Sequence, residues 1–387
     1  MGTLRNEFDQ VLPSPYLLKD PPKPMRVCVV GAGAIGGLVA AKLALGGNDV
    51  TVVDVGPHLD AIQKNGLKLE WHDGTVQTAK VTGVARLADA SKQDLVVLAV
   101  KAHYLDKVVP DIDHVLGPDT MVLTVQNGLP WWYFQKLGGK YDDRKLESLD
   151  PTGLLRQKID AGRIIGCVVY PAAAVAAPGV IHHVEGDRFP IGELDGSETE
   201  RVKRVHDMFV KAGLKSRVLP DIRSEIWLKA WGNLSFNPIS ALTHATLVDI
   251  CQFPETRHLA AQMMEEAQTI AKKLGVTFRV TIDKRIAGAE SVGAHKTSML
   301  QDVEAGRSLE TEALIGSVLE MARVTDTPAP AIEAVYACVK LLNNVMAHEG
   351  AGVRVAKAAS WAVRRQPEAS PQAGLPHSIP TEGSANA

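Results

Sequence analysis

Cysteine is scarce: four in 387 residues, at Cys28, Cys167, Cys251 and Cys338, with no C-x-x-C pair and no histidine beside them at metal spacing. That excludes a zinc ribbon, a thiol redox motif and a disulfide-stapled scaffold, and it fits a reducing compartment in which the cysteines are small core residues. No metal is expected. Charge of one sign is lacking too. The formal net charge is −2, which leaves no field to draw nucleic acid or an anionic membrane surface. No apolar run approaches the roughly 18 residues of a spanning helix, and no charged-then-apolar secretory pattern opens the chain. The expectation is a cytoplasmic protein without nucleic-acid or membrane partners. Repeats and long heptad patterns are missing, which excludes a solenoid or coiled coil. What is present is 45% hydrophobic and 22% charged, an ordinary globular balance on a chain long enough for two domains.

The most informative stretch is Arg26-Val27-Cys28-Val29-Val30-Gly31-Ala32-Gly33-Ala34-Ile35-Gly36-Gly37. A β-branched run breaks into glycines and continues as an alanine-rich helical pattern to about Leu45. Strand, tight turn and helix start in that order form the phosphate cradle of a dinucleotide-binding βαβ unit. Gly31 permits the turn, Gly33 lets backbone approach a pyrophosphate, and Gly36 lets the helix pack on the strand. Ala34 and Ile35 begin the helix whose N–H groups face the phosphates. A second strand over 49–54 ends in Asp54, placed to accept from a ribose 2′-OH.

Residues 1–24 are polar and proline-containing, and read as an arm or partly disordered leader. After the first βαβ unit, 58–64 reads as a short helix, and 67–71 with 76–81 as a hairpin about Asp73-Gly74. The apolar run 94–100 reads as a buried parallel strand, followed by a helix over 104–116 and a strand over 120–125. The charged stretch 138–162 reads as a surface insertion with a helical piece near 153–160. Strand-like runs at 163–170, 179–184, 189–192 and 215–219 and a helix over 198–212 complete an α/β Rossmann domain, 25–220, with a mostly parallel doubly wound sheet. From residue 221 only helical periodicity remains (221–245, 254–275, 279–288, 308–324, 329–347), an all-α second domain over 221–365. The tail 366–387 is rich in Pro, Ser, Gly and Ala and is expected to be disordered.

Lys101 directly follows one predicted strand and Asn127 another, so both lie at the carboxyl edge of a parallel sheet, where such sheets bind ligands. The competing readings are a solvated charge and a turn asparagine. In Trp227-Leu228-Lys229-Ala230-Trp231-Gly232-Asn233-Leu234-Ser235-Phe236-Asn237-Pro238, the residues Lys229, Asn233 and Asn237 share one helical stripe at i, i+4 and i+8, flanked by apolar side chains. Burial would lower the lysine's pKa toward neutrality, which suits a general acid or base. Pro238 should end or kink that helix at Asn237. In the segment 296–310, Ser298 could meet a carboxylate and Glu310 a substrate hydroxyl, while Ser308 with Thr311 and Glu312 could merely be an N-cap region.

Together these pieces resemble the ketopantoate reductase (2-dehydropantoate 2-reductase) family, from about Met25 to Asn344. They are Gly31-x-Gly33-x2-Gly36, Val100-Lys101, Gln126-Asn127-Gly128, Lys229-x3-Asn233-x3-Asn237-Pro238, and Ser298-Met299-Leu300-Gln301-Asp302-Val303-Glu304-Ala305-Gly306-Arg307 followed by Glu310. The resemblance implies a Rossmann domain, a helical domain and a cleft in which a nicotinamide cofactor reduces a 2-oxo acid. It implies Lys229 as general acid and Asn233 and Asn237 on the substrate hydroxyl. Ser298 would meet the carboxylate, and Glu310 would fix the substrate and position Lys229. Lys101 and Asn127 would hold the nicotinamide ribose and the substrate.

The chain departs from the family at three places. Members using NADP usually carry a basic residue after the second strand; here Asp54-Val55-Gly56-Pro57-His58 offers an acid and no arginine, so NAD is the expected cofactor, with NADP the alternative. Thr311-Glu312 replaces Ile-Asp after Glu310. The aromatic run Trp131-Trp132-Tyr133-Phe134 reads as helix core or as the wall of an enlarged pocket. A homodimer is expected. The readings that compete with an NAD(P)-dependent reductase are a catabolic NAD-linked dehydrogenase of another, bulkier hydroxylated substrate, and a non-catalytic dinucleotide sensor.

Overall fold

The glycine turn sits where two sheet-forming habits meet: β-branched runs long enough to be buried on both faces, and helices that cross between them. The structure, a computed structural model, describes residues 23–71 and 73–355; all but the last two residues of the expected arm 1–24, and the whole of the expected tail 366–387, lie outside the described residues. Strand β1 (Arg26–Val30) leads through the turn into α1 (Ala34–Leu45), β2 (Asp49–Val53) and α2 (Gly56–Asn65). The hairpin β3 (Leu67–Glu70) and β4 (Val76–Ala79) closes about Gly74, and a short β5 (Thr82–Val84) follows. Next come β6 (Gln93–Leu98), α3 (Leu105–Val108), β7 (Leu116–Thr124), α4 (Leu154–Lys158) and β8 (Ile164–Cys167). The α/β half ends with β9 (Ala172–Ala177), β10 (Val180–Glu185), β11 (Arg188–Glu193), α5 (Glu200–Lys211) and β12 (Lys215–Val218).

Eight strands form the main sheet in the order β12-β11-β8-β7-β6-β1-β2-β5, parallel except where β11 meets β8. The order reverses at β1, so the carboxyl ends of β1 and β6 flank the switch point at which doubly wound sheets bind ligands. A second sheet, β4-β3-β10-β9, packs on α1.

The helical half consists of α6 (Ile222–Thr243), α7 (Leu247–Gln252), α8 (Pro254–Lys273), α9 (Ile282–Ser291) and α10 (Ser298–Glu304), then a π turn (Glu312–Gly316), α11 (Ser317–Val324) and α12 (Pro330–Glu349). One apolar cluster joins the halves, running from Val30, Leu98 and Trp132 to Trp227, Met263 and Val339. No helix among the described residues is long and apolar enough to cross a membrane.

Four expectations need correction. The helix over 104–116 is broken into a 3-10 turn, the four-residue α3 and a second 3-10 stretch over Val109–His114, with Pro110 in its first turn. The stretch 138–162 is not merely a surface insertion: Leu146, Leu155 and Ile159 are in the core, and buried Asp150 accepts from the N–H groups of Leu155 and Arg156. The aromatic run is neither helix nor pocket wall. Trp131, Trp132, Tyr133 and Phe134 lie in successive turns, at most 3% exposed. They bind the sheet to α6: Trp132 donates to Thr124 Oγ1 at 3.0 Å, Trp227 donates to Tyr133 Oη at 2.8 Å, and the buried Arg223 guanidinium donates to the carbonyls of Tyr133, Gln135 and Leu194. Finally, α6 does not end at Asn237. It runs through Pro238 to Thr243, because Phe236, Ile239 and Ala241 are all fully packed and burial outweighs the lost N–H bond.

Candidate active site

The cofactor cradle follows from the turn geometry. Gly31 has φ +94°, and its N–H donates to Val53 O at 2.8 Å. A Cβ on Gly36 would lie 1.8 Å from Gly31 O, so the helix closes on the turn only with glycine there. Nothing lies within 4 Å of a Cβ built on Gly33, and no side chain caps α1. The N–H groups of Ala34, Ile35 and Gly36 lack i−4 carbonyls inside the helix. Open space facing uncapped donors fits a pyrophosphate, so a dinucleotide suits these residues.

Asp54 stands beside this cradle as a brace. One carboxylate oxygen accepts from Ala32 N and the other from Val55 N, each at 2.7 Å. A carboxylate has lone pairs left for one more donor. His58, which the sequence reading passed over, bonds the other side of the turn: Nδ1 accepts from Gly179 N at 3.0 Å, so Nε2 carries the proton donated to Ala32 O at 2.8 Å.

The second cluster gathers at the carboxyl edge of β6 and β7. Gln126 donates to Leu98 O and Val100 O, closing the gap between the two strand ends and fixing the backbone just before Asn127. Gly128, at φ +82°, presses on the π turn, where Leu129 N donates to Ala313 O at 2.9 Å. Asn127 Oδ1 accepts from Lys229 Nζ at 2.6 Å, and Val169 O accepts from the same ammonium. Burial lowers the Lys229 pKa to about 8, while the Glu310 carboxylate nearby pulls it back up. Burial raises the pKa of Glu310 in turn, opposed by Lys101 and by the Ala102 N–H that donates to it at 3.4 Å.

Asn233 is half-buried and its amide has no hydrogen-bond partner among the described residues. Asn237, 6% exposed, donates to Ser298 Oγ at 3.4 Å. Ser298 itself is exposed at the start of α10, whose N-cap is Thr297. Two of the three Lys101 N–H groups are engaged within the chain: the ammonium donates to Asp302 Oδ2 at 2.7 Å and to Ser308 O at 3.1 Å. It thereby ties the sheet edge to α10. Buried Asp302 also accepts from Arg307 Nε at 2.8 Å. The structure thus brings together Lys229, Asn127, Glu310 and Lys101, and next to them Asn233, Asn237 and Ser298. Asp302 and Gln126 have structural roles that the sequence does not signal: Asp302 stands among other polar residues, Gln301 and Glu304, on α10. Two hollows of about 490 and 300 Å³ share no lining residue with this cluster.

Such a constellation can present a cofactor's reactive end to a carbonyl beside a tuned lysine, and comparison with known proteins agrees. The family model described as ketopantoate reductase PanE/ApbA matches residues 27–196, and its C-terminal counterpart matches 221–343. A 2-dehydropantoate 2-reductase from Mesorhizobium japonicum is 52% identical over 319 residues, which is 82% of this chain and 98% of that protein. Among solved structures, a 2-dehydropantoate 2-reductase from Methylococcus capsulatus is 26% identical with a TM-score of 0.70, covering 83% of this chain and 97% of that one. A D-mandelate dehydrogenase in complex with NADH and anilino(oxo)acetate shares the fold at 20% identity and a TM-score of 0.72, over 84% of this chain and all of that one. The chain belongs to the ketopantoate reductase family of nicotinamide-dependent oxidoreductases.

Proposed function

We propose that this protein reduces the carbonyl of a 2-oxo acid, 2-dehydropantoate or a close relative of it, with Lys229 as the general acid. The observation that carries the reading is the state of the Lys229 ammonium. Of its three N–H bonds, two point at Asn127 Oδ1 and Val169 O, and the third is left for a substrate oxygen. With a pKa of about 8, the group is charged at neutral pH yet readily gives up its proton. A reduced nicotinamide, when bound at the sheet edge, supplies the hydride. Lys229 delivers a proton to the carbonyl oxygen as that carbon is reduced to the alcohol, and then recovers one from solvent. Asn233, with a free amide, and Asn237 orient the substrate hydroxyl; Glu310 fixes the substrate and holds the lysine's field.

The same reading assigns NAD in preference to NADP, because Asp54 puts a carboxylate where a 2′-phosphate would lie and no arginine follows it. It includes a homodimer formed through the helical half, supported by exposed Leu341 (64%) and Val345 (48%) on α12; sedimentation of the purified protein checks this. The enzymatic test is oxidation of NADH and NADPH in the presence of 2-dehydropantoate and simpler 2-oxo acids. Turnover that requires the 2-oxo acid and is faster with NADH is expected. Failure of every 2-oxo acid would overturn the reading.

A further inference from the structure

Gly232 sits in the middle of the site helix, between Lys229 and Asn233, where a glycine costs about 1 kcal/mol relative to alanine. The space it leaves is taken by one side chain. A Cβ at Gly232 would lie 1.9 Å from Nη2, 2.7 Å from Cζ and 3.1 Å from Nε of Arg285, which reaches over from α9. At 100° per residue, Gly232 lies about 60° around the helix from Lys229 and about one turn along it. The guanidinium therefore lies against the helix face adjoining Lys229.

Arg285 has no hydrogen bond or ion pair from its side chain among the described residues, although burial lowers its pKa. The acid on this side of α6 is already committed: Glu225 accepts from Arg279 Nη2 at 2.6 Å and from the Tyr170 hydroxyl. Arg285 is half-buried, and a carboxylate, which a guanidinium binds through two parallel hydrogen bonds, is its natural complement. Under the reading above, every substrate carries one on the carbon next to the carbonyl that Lys229 protonates. Ser298, exposed on α10, is a weaker neutral partner.

We infer that Arg285, seated on Gly232, binds the carboxylate of the 2-oxo acid and selects anionic substrates over neutral ones. This rests on the proposed reduction of 2-oxo acids. The test compares the 2-oxo acid that the wild type reduces fastest with its carboxamide in the wild type, Arg285→Gln and Arg285→Lys, with NADH binding measured alongside. The wild type should favour the acid by about 100-fold in kcat/KM, the scale of a lost charge-assisted pair. Arg285→Gln should bring that ratio near one, mainly through KM, with NADH affinity unchanged; Arg285→Lys should restore part of it. A ratio that Arg285→Gln leaves intact, or an equal loss on both compounds, would overturn the assignment while leaving the proposed reduction standing. A wild type that reduces no 2-oxo acid would overturn both.

Discussion

Gly128→Ala probes how the two halves of the site are held together. Gly128 has φ +82°, a left-handed conformation that costs an alanine about 1–2 kcal/mol. The added Cβ would lie 2.1 Å from Ala313 O and 2.5 Å from its carbonyl carbon, both backbone atoms of the π turn that cannot rotate away. Relief requires the 126–129 loop and the π turn to part by about 1 Å, since carbon and oxygen pack no closer than about 3.3 Å. That breaks the Leu129 N–H bond to Ala313 O and leaves both groups short of a partner, about 1–3 kcal/mol more. The total is about 3 kcal/mol, read as a lower midpoint in urea denaturation. Activity should fall as well, by about 100-fold, because Asn127 moves with the loop and an ångström at a positioned group costs that much. A variant with wild-type midpoint and turnover would show that the π turn does not clamp this loop.

Four further outcomes follow from other contacts of the site. Reduction should require protonated Lys229 and decline above about pH 8, whereas alcohol oxidation should rise through the same pH; opposite profiles in a pH–rate series would refute the assignment. The linked stability has a definite sign. The unfolded lysine stays charged to about 10.5 while the folded one loses its proton near 8, so the unfolded chain binds more protons in between and the Lys229 contribution makes stability rise over that window. Asp302→Ala should cost about 2–3 kcal/mol in urea unfolding, since Lys101 and Arg307 both lose a buried acceptor. Asp54→Asn should shift the ratio of NADPH to NADH affinity upward by roughly tenfold by removing a like charge, at some cost to the turn that Asp54 braces through Ala32 N.

Much of this was legible in the residues. The order of β-branched run, glycines and alanine-rich helix gave the cradle, because each glycine answers to a local steric demand that sequence states directly. The stripe Lys229-Asn233-Asn237 was visible because polar side chains at helical spacing among tryptophans and leucines break an apolar face. Other features depend on distant partners and left no local mark. Strand β9 is Ala172-Ala173-Ala174-Val175-Ala176-Ala177, a composition with poor β-propensity that pairing with β10 overrides. The aromatics 131–134 are held as turns by Arg223, some 90 residues on. Pro238 reads as a helix stop, yet packing on both sides carries α6 past it. The engagement of Lys101 by Asp302 joins residues 201 apart, and no spacing rule exposes such a pair.

The central claim is that Lys229 is the proton donor, and Lys229→Ala tests it most directly. Turnover of the best 2-oxo acid should fall by about 10²–10⁴-fold at pH 7, the range of a general acid, with NADH affinity preserved. A variant within tenfold of the wild type would contradict the account.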